Sequence, residues 1–372
     1  MTHLAKLDTI IRDIIEPAAI AVDRDGAFPR TAIRALGEAG LLGLTSAAEV
    51  GGMGLGLAEA AHAVERIAQA CPSTAMVLTM HYCATSVIEK FGAEALRREV
   101  AAGRHLSTLA WSEAGSRSHF WAPVGTAVSD SGGYLLDGSK TMVTSAVEAD
   151  SYIWSSRPAQ AEGASTLWLV DSKTAGLTQL HPFDGMGLRG NCSAPLVCKS
   201  MRLPQAAMLG ADGGGFDIMI GVVLPIFSTL IASNSIGLME TAISRSIAHV
   251  SANKFEHLNS TLADLPTIRA YIARARIRAD MARTLRDDTL TALAANRADA
   301  MLRVMQVKAA AAEAALEVTD IAMRVCGGAA FRKDVGVERC FRDARAASVM
   351  APTSDVLFDF IGKAVCGIPV FG

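Results

Sequence analysis

Apolar residues recur three and four positions apart through Leu7, Ile10, Ile11 and Ile14, and again through Ala60, Val64 and Ile67, which predicts amphipathic helices from Leu4 to about Gly103. Pro29, the cluster Gly51-Gly52-Met53-Gly54 and Pro72 divide that stretch into several helices. Between Leu106 and Leu209 the texture changes to short β-rich runs, Tyr152-Ile153-Trp154 and Thr166-Leu167-Trp168-Leu169-Val170. Turn signals at Ser131-Gly132-Gly133 and Asp137-Gly138 separate them, so a small sandwich or barrel is expected. After Gly213-Gly214-Gly215 the helical period returns, and Arg269 to Ala295 and Ala300 to Val325 form long Ala-rich runs without Gly or Pro, as close-packed antiparallel helices of a bundle require. The expected fold is α+β and mainly α: a helical domain over 1–105, a central β-domain over 106–211 and a helical bundle over 212–372.

One run complicates this picture. Ile218 to Met239 carries no charged residue and is long enough to cross a bilayer. It also carries Pro225, Ser228, Thr229, Ser233, Asn234 and Ser235 and lacks basic flanks, so a buried helix of the bundle is the expectation rather than a membrane span. Lys+Arg 35 against Asp+Glu 37 leaves a net charge of −2, which argues for a small molecule or another protein as partner and against nucleic acid. Seven cysteines without a C-x-x-C pair fit buried thiols in a reducing compartment. Met1 to Glu16 mixes charges with Leu and Ile and has no apolar core of a secretory signal, so the protein reads as cytoplasmic.

Isolated motifs say little about chemistry. There is no Walker lysine loop, no G-x-S-x-G elbow, no H-E-x-x-H, and no G-x-G-x-x-G between a strand and a helix. The eight histidines are scattered, and His81, beside Val77-Leu78-Thr79-Met80, reads as a core or pocket residue before a metal ligand.

Ordered blocks say more. Asp25-Gly26-Ala27-Phe28-Pro29, Glu38-Ala39-Gly40-Leu41-Leu42-Gly43-Leu44 and Glu49-Val50-Gly51-Gly52-Met53-Gly54 are followed by Phe91-Gly92 and Gly103. Trp111-Ser112-Glu113-Ala114-Gly115-Ser116-Arg117-Ser118 and Leu136-Asp137-Gly138-Ser139-Lys140-Thr141-Met142-Val143-Thr144 come next. Met186-Gly187-Leu188-Arg189-Gly190, Met201-Arg202-Leu203-Pro204, Cys326-Gly327-Gly328 and Arg342-Asp343-Ala344-Arg345 complete the series. In this order, over nearly the whole chain, they resemble the acyl-CoA dehydrogenase flavoprotein superfamily. The resemblance implies a four-helix C-terminal bundle and an extended FAD at a subunit interface of a homodimer or homotetramer. It implies an acyl thioester as substrate and an electron-transfer flavoprotein or a flavin reductase as redox partner.

The resemblance also assigns residues. Ser112, where the family has threonine, and the backbone around Trp111 would donate to the flavin pyrimidine edge, stabilising charge that develops on reduction. Ser118 stands at the pyrophosphate serine, Met142 replaces the tryptophan beside the isoalloxazine, and Thr144 keeps the threonine facing the flavin ring. Lys254 falls where many relatives carry an arginine that reaches the partner's FAD, keeping the charge without the bidentate fork. Arg324 replaces a glutamine, Gly327-Gly328 would admit the cofactor close to the backbone, and Thr353 and Asp355 lie in the segment that wraps the adenosine.

The departures concern the base that removes the α-proton of an acyl thioester. Ala351-Pro352-Thr353 stands where most relatives open E-G-T, and Phe227 with Ser228 occupies the alternative position on the first long bundle helix. Three readings follow: dehydrogenation with another base, for which Asp355, His81 and Glu113 are the candidates; a flavin monooxygenase on the same fold; or a non-catalytic subunit that binds FAD or acyl-CoA.

Overall fold

The computed structural model describes residues 2–116 and 118–371. The chain divides into two compact units, one of Met1–Ala63, Ser73–Gly185 and Arg189–Phe227, the other of Val64–Pro72, Met186–Leu188 and Ser228–Gly372. In chain order the first stretch holds α1 (His3–Ile10), α2 (Glu16–Asp25), α3 (Arg30–Glu38), α4 (Leu57–Ala70), α5 (Pro72–Phe91) and α6 (Glu94–Ala101). Thr2 caps α1 by accepting from the Ala5 amide. A π-turn over Ile11–Ile15 then precedes Glu16-Pro17, where proline has no amide to continue the ladder. That extra residue rotates the buried face, so Ile15 is buried while Ile11 and Ile14, expected on the core stripe, are only half-buried. Gly43 of the Glu38–Leu44 block has a physical reason: a Cβ there would lie 2.1 Å from the carbonyl oxygen of Ala101.

The strands are β1 (Ser107–Ala110), β2 (Thr126–Asp130), β3 (Gly133–Val143), β4 (Ser151–Ser156), β5 (Thr166–Asp171), β6 (Leu177–Gln179), β7 (Ala194–Pro204) and β8 (Met208–Leu209). They form two four-stranded sheets, β1-β4-β5-β8 and β2-β3-β7-β6, antiparallel except for the parallel pair β1/β4. Both sheets feed one core that includes Leu136, Tyr152, Trp154, Trp168, Leu196 and Met201. All six residues of β4 are buried, which explains its unbroken rather than alternating pattern. Ser131-Gly132 makes the expected β2–β3 turn, but Asp137-Gly138 does not turn the chain. It lies inside β3 at a register shift against β7, where Asp137 accepts from the Ser200 amide and the strand bends instead of reversing.

Beyond the sheets come α7 (Gly215–Ile218), α8 (Leu224–Ala252), the two-residue strands β9 (Lys254–Phe255) and β10 (Ser260–Thr261), α9 (Pro266–Ala294), α10 (Ala300–Cys326), α11 (Val337–Val349) and α12 (Ser354–Val365). In the second unit, Ala232, Ile236 and Met239 of α8, Ala275 and Ala279 of α9, Ala311 and Ala315 of α10, and Cys340 and Ala344 of α11 share one core. Alanine at these contacts lets the helices approach closely. The helical run Gly215–Ala252 is long and apolar enough to cross a membrane by length and composition, and 61% of its most apolar window is buried inside the protein. At its centre Arg286 of α9, a buried side chain, donates to Glu65 (2.7 Å) and Ser233 (3.3 Å), and Arg283 bridges Glu65 and Glu240. Ser233, Glu65 and Glu240 thus answer arginines inside the bundle.

Candidate functional site

In the first unit, β1 ends at Ala110 and hands the chain to Trp111, Ser112 and Glu113. The Glu113 carboxylate is buried and accepts from the Lys140 ammonium at 2.5 Å and from the amides of Val124 (2.6 Å) and Gly125 (3.1 Å). Lys140 in turn donates to the carbonyl and hydroxyl of Ser155 and lies 5.0 Å from the Trp154 ring centre. Burial pushes the Lys140 pKa down to about 8, and the Glu113 charge opposes that shift. This pair closes the loop from 113 to 125 and ties it to the middle of β3.

The same loop is tied to the end of β3. The Ser112 carbonyl accepts from the Thr141 amide (2.8 Å) and hydroxyl (3.3 Å), so Ser112 sits next to the strand end that carries Met142 and Thr144. Met142 is 59% exposed although it is a large apolar side chain, whereas Thr144 is buried. The Trp111 ring stacks on Phe120 at 5.9 Å and 11°, and its indole N–H is buried without a partner. A buried donor left bare costs about 1–3 kcal/mol unless something supplies an acceptor. The bare indole donor and the exposed Met142 fit a planar heterocycle with acceptors on its rim, as the isoalloxazine of FAD has. Ser118 is half-buried, and Arg117 lies outside the described residues.

In the second unit, Gly327 follows α10 at φ 56 and ψ −138, a conformation open to glycine alone, and a Cβ on Gly327 or Gly328 would meet nothing within 4 Å. Their backbone therefore faces open space, which suits close approach by a ligand. Lys254 is exposed at the start of β9. Arg324 is exposed too, but its guanidinium lies 5.6 Å over the Tyr271 ring and within 3.8 Å of Asp320, so within the chain it packs on α9. Thr353 caps α12 by accepting from the Val356 amide at 3.5 Å, and Asp355 stands exposed in the first turn of that helix. Among the described residues no group of three or more His, Cys, Asp or Glu side chains could hold a metal ion.

Two of the three candidate bases are committed to the fold. Glu113 is held by Lys140. His81 is buried, and its Nδ1 accepts from the Ser107 amide (3.2 Å), so the proton is on Nε2, which donates to the Leu42 carbonyl (3.1 Å). Burial lowers its pKa to about 4, which keeps the ring neutral. Ala351 is half-buried and Phe227 buried, and their hydrocarbon side chains offer no proton acceptor. Sequence reasoning missed Lys308, a fully buried lysine on α10 that donates to the carbonyls of Ala347, Met350 and Pro352. The signal was available: a lysine four residues after Val304 and three before Ala311 lies on the apolar stripe of its helix.

Matches to known proteins agree with this architecture. The models of the acyl-CoA dehydrogenase N-terminal, middle and C-terminal domains match residues 4–103, 108–201 and 213–366. The chain belongs to the acyl-CoA dehydrogenase family, whose enzymes are FAD-dependent flavoproteins. It is 29% identical over 367 residues to the human mitochondrial short-chain specific acyl-CoA dehydrogenase, covering 95% of this chain and 88% of that one. It is 28% identical over 363 residues to an acyl-CoA dehydrogenase of Bacillus subtilis, covering 96% and 95%. The fold is that of the butyryl-CoA dehydrogenase of Megasphaera elsdenii, with a TM-score of 0.91, 22% identity, and coverage of 98% and 97%.

Proposed function

We propose that the protein is an FAD-dependent oxidoreductase that removes hydrogen from the α and β carbons of an acyl thioester, with Asp355 accepting the α-proton. The observation that carries this reading is the join between the Trp111–Ser118 loop and the end of β3, made by Thr141 on the Ser112 carbonyl. It sets the Ser112 hydroxyl, the bare Trp111 N–H, Met142 and Thr144 on adjoining segments. FAD, when bound, supplies the acceptor for the hydride that leaves the β carbon. The residues of this chain orient the ring, exclude water from one edge of it, and take the proton. Asp355 is the remaining candidate because His81 and Glu113 are spent on the fold, and it stands exposed at the entry to α12. An electron-transfer flavoprotein is the fitting acceptor of the electrons.

A second reading, a flavin monooxygenase, draws its support from the two base positions: with Ala351 and Phe227 there, chemistry without α-proton removal needs no further change. Anaerobic mixing of the holoprotein with acyl-CoAs of graded chain length tests both. Bleaching of the flavin absorbance, slowed by Asp355→Asn by about 10²-fold or more, is the expected result. No bleaching by any thioester, with oxygen uptake once the flavin is reduced by a nicotinamide nucleotide, would move the monooxygenase ahead. Neither response would leave a non-catalytic subunit.

A further inference from the structure

We propose that Lys308 is the positioning residue of the α11–α12 corner, holding residue 351 and the first turn of α12 in place. That this corner borders the reacting centre rests on the function proposed above; that Lys308 holds it rests on geometry alone. The ammonium donates to Ala347 at 2.9 Å, to Met350 at 3.0 Å and to Pro352 at 2.8 Å. Ala347 belongs to the last turn of α11, whose final carbonyls have no intrahelical donor, and Met350 and Pro352 are the two neighbours of Ala351. One side chain from the first third of α10 therefore ends α11, fixes the backbone on both sides of residue 351, and sets the start of α12, where Thr353 caps the helix and Asp355 stands in the first turn.

The choice of lysine follows from the acceptors. Three carbonyls converge on one point, which a compact ammonium with three donors can answer and a planar guanidinium cannot. A charge is otherwise expensive on this face, where Val304, Val307 and Ala311 are buried, so a residue serving only to pack would be apolar. The three carbonyls hold the nitrogen as a donor.

The test compares the holoproteins of the wild type, Lys308→Met and Lys308→Arg by hydrogen exchange. For a positioning role, amides in peptides covering 347–357 exchange roughly tenfold faster or more in Lys308→Met, while peptides of α9 and the second half of α10 keep their wild-type rates. A uniform rise across the bundle means that Lys308 only stabilises the unit, and unchanged exchange at 347–357 means that it holds nothing; either result overturns the proposal. Should Lys308→Met fail to accumulate folded, Lys308→Arg is read the same way, with a smaller local rise expected because the fork meets the three carbonyls imperfectly. With an acyl-CoA that bleaches the wild-type flavin, kcat should fall and KM hold in the variant. If no acyl-CoA bleaches the wild type, the functional reading fails and the exchange data decide Lys308 by themselves.

Discussion

His81 shows how burial turns a reactive side chain into a structural one. Its Nδ1 accepts an amide and its Nε2 donates to a carbonyl, an arrangement only the neutral ring can make. The folded-state pKa of about 4 lies below the ordinary 6.5, so between these values the unfolded chain binds a proton that the folded chain refuses. Stability is therefore full above about pH 6.5 and falls toward pH 4, by up to about 3 kcal/mol. Urea midpoints of the wild type and His81→Gln across that range check this: the variant loses less on acidification. Ala351 carries the complementary prediction. Placing a carboxylate there, as Ala351→Glu with Pro352→Gly to free the backbone, should raise α,β-dehydrogenation of some acyl-CoA by about 10² to 10⁴, read by flavin bleaching. A double variant that binds FAD normally and leaves every chain length untouched would show that the pocket is not shaped for an acyl thioester.

At the scale of elements, periodicity located the long helices well. The runs expected over Arg269 to Ala295 and Ala300 to Val325 are Pro266–Ala294 and Ala300–Cys326, because neither contains an interior Gly or Pro. Here the break is set by Asn296 at positive φ rather than by glycine. Asp137-Gly138 misled because the same dipeptide serves a tight turn and a bulge, and only pairing with β7 decides which. Glycine inside α8 shows a further limit. Gly237 looks like a flaw in a helix, yet a Cβ on it would lie 2.3 Å from the Glu65 carbonyl oxygen and 2.8 Å from the Ala68 side chain. Gly237→Ala should cost about 1–3 kcal/mol by forcing α8 away from that segment, measured as a fall in urea midpoint. Gly221→Ala, whose Cβ meets nothing within 4 Å, is the control and should change stability by less than about 1 kcal/mol.

For the molecule as a whole, FAD is the ligand that should stabilise it. Added to apoprotein at about a hundred times its dissociation constant, FAD contributes about 2.7 kcal/mol, visible as a rise in melting temperature, and FMN, which cannot reach an adenosine site, should contribute less. The extracted cofactor should be FAD. The same preparation is expected to sediment as a dimer or tetramer. Phe358, Val365 and Ile368, which are 51%, 69% and 54% exposed along α12 and just past it, are apolar side chains that a second copy can cover. A stable monomer saturated with FAD would contradict that assembly.

The order helical, β, helical, the long Ala-rich helices and the family blocks were all determined by the sequence, because each depends on residues close together in the chain. The absence of a carboxylate at 351 and 227 was equally plain there. Only the tertiary structure decided what the remaining ionisable groups do. Glu113 and Lys140 stand 27 residues apart, and Lys308 lies about 40 from the carbonyls it binds, so pairing in space and not spacing in sequence turned the candidate base Glu113 and two lysines into struts. Burial lowers the pKa of both lysines, since the cost of removing an ion from water depends on what surrounds it in the folded chain.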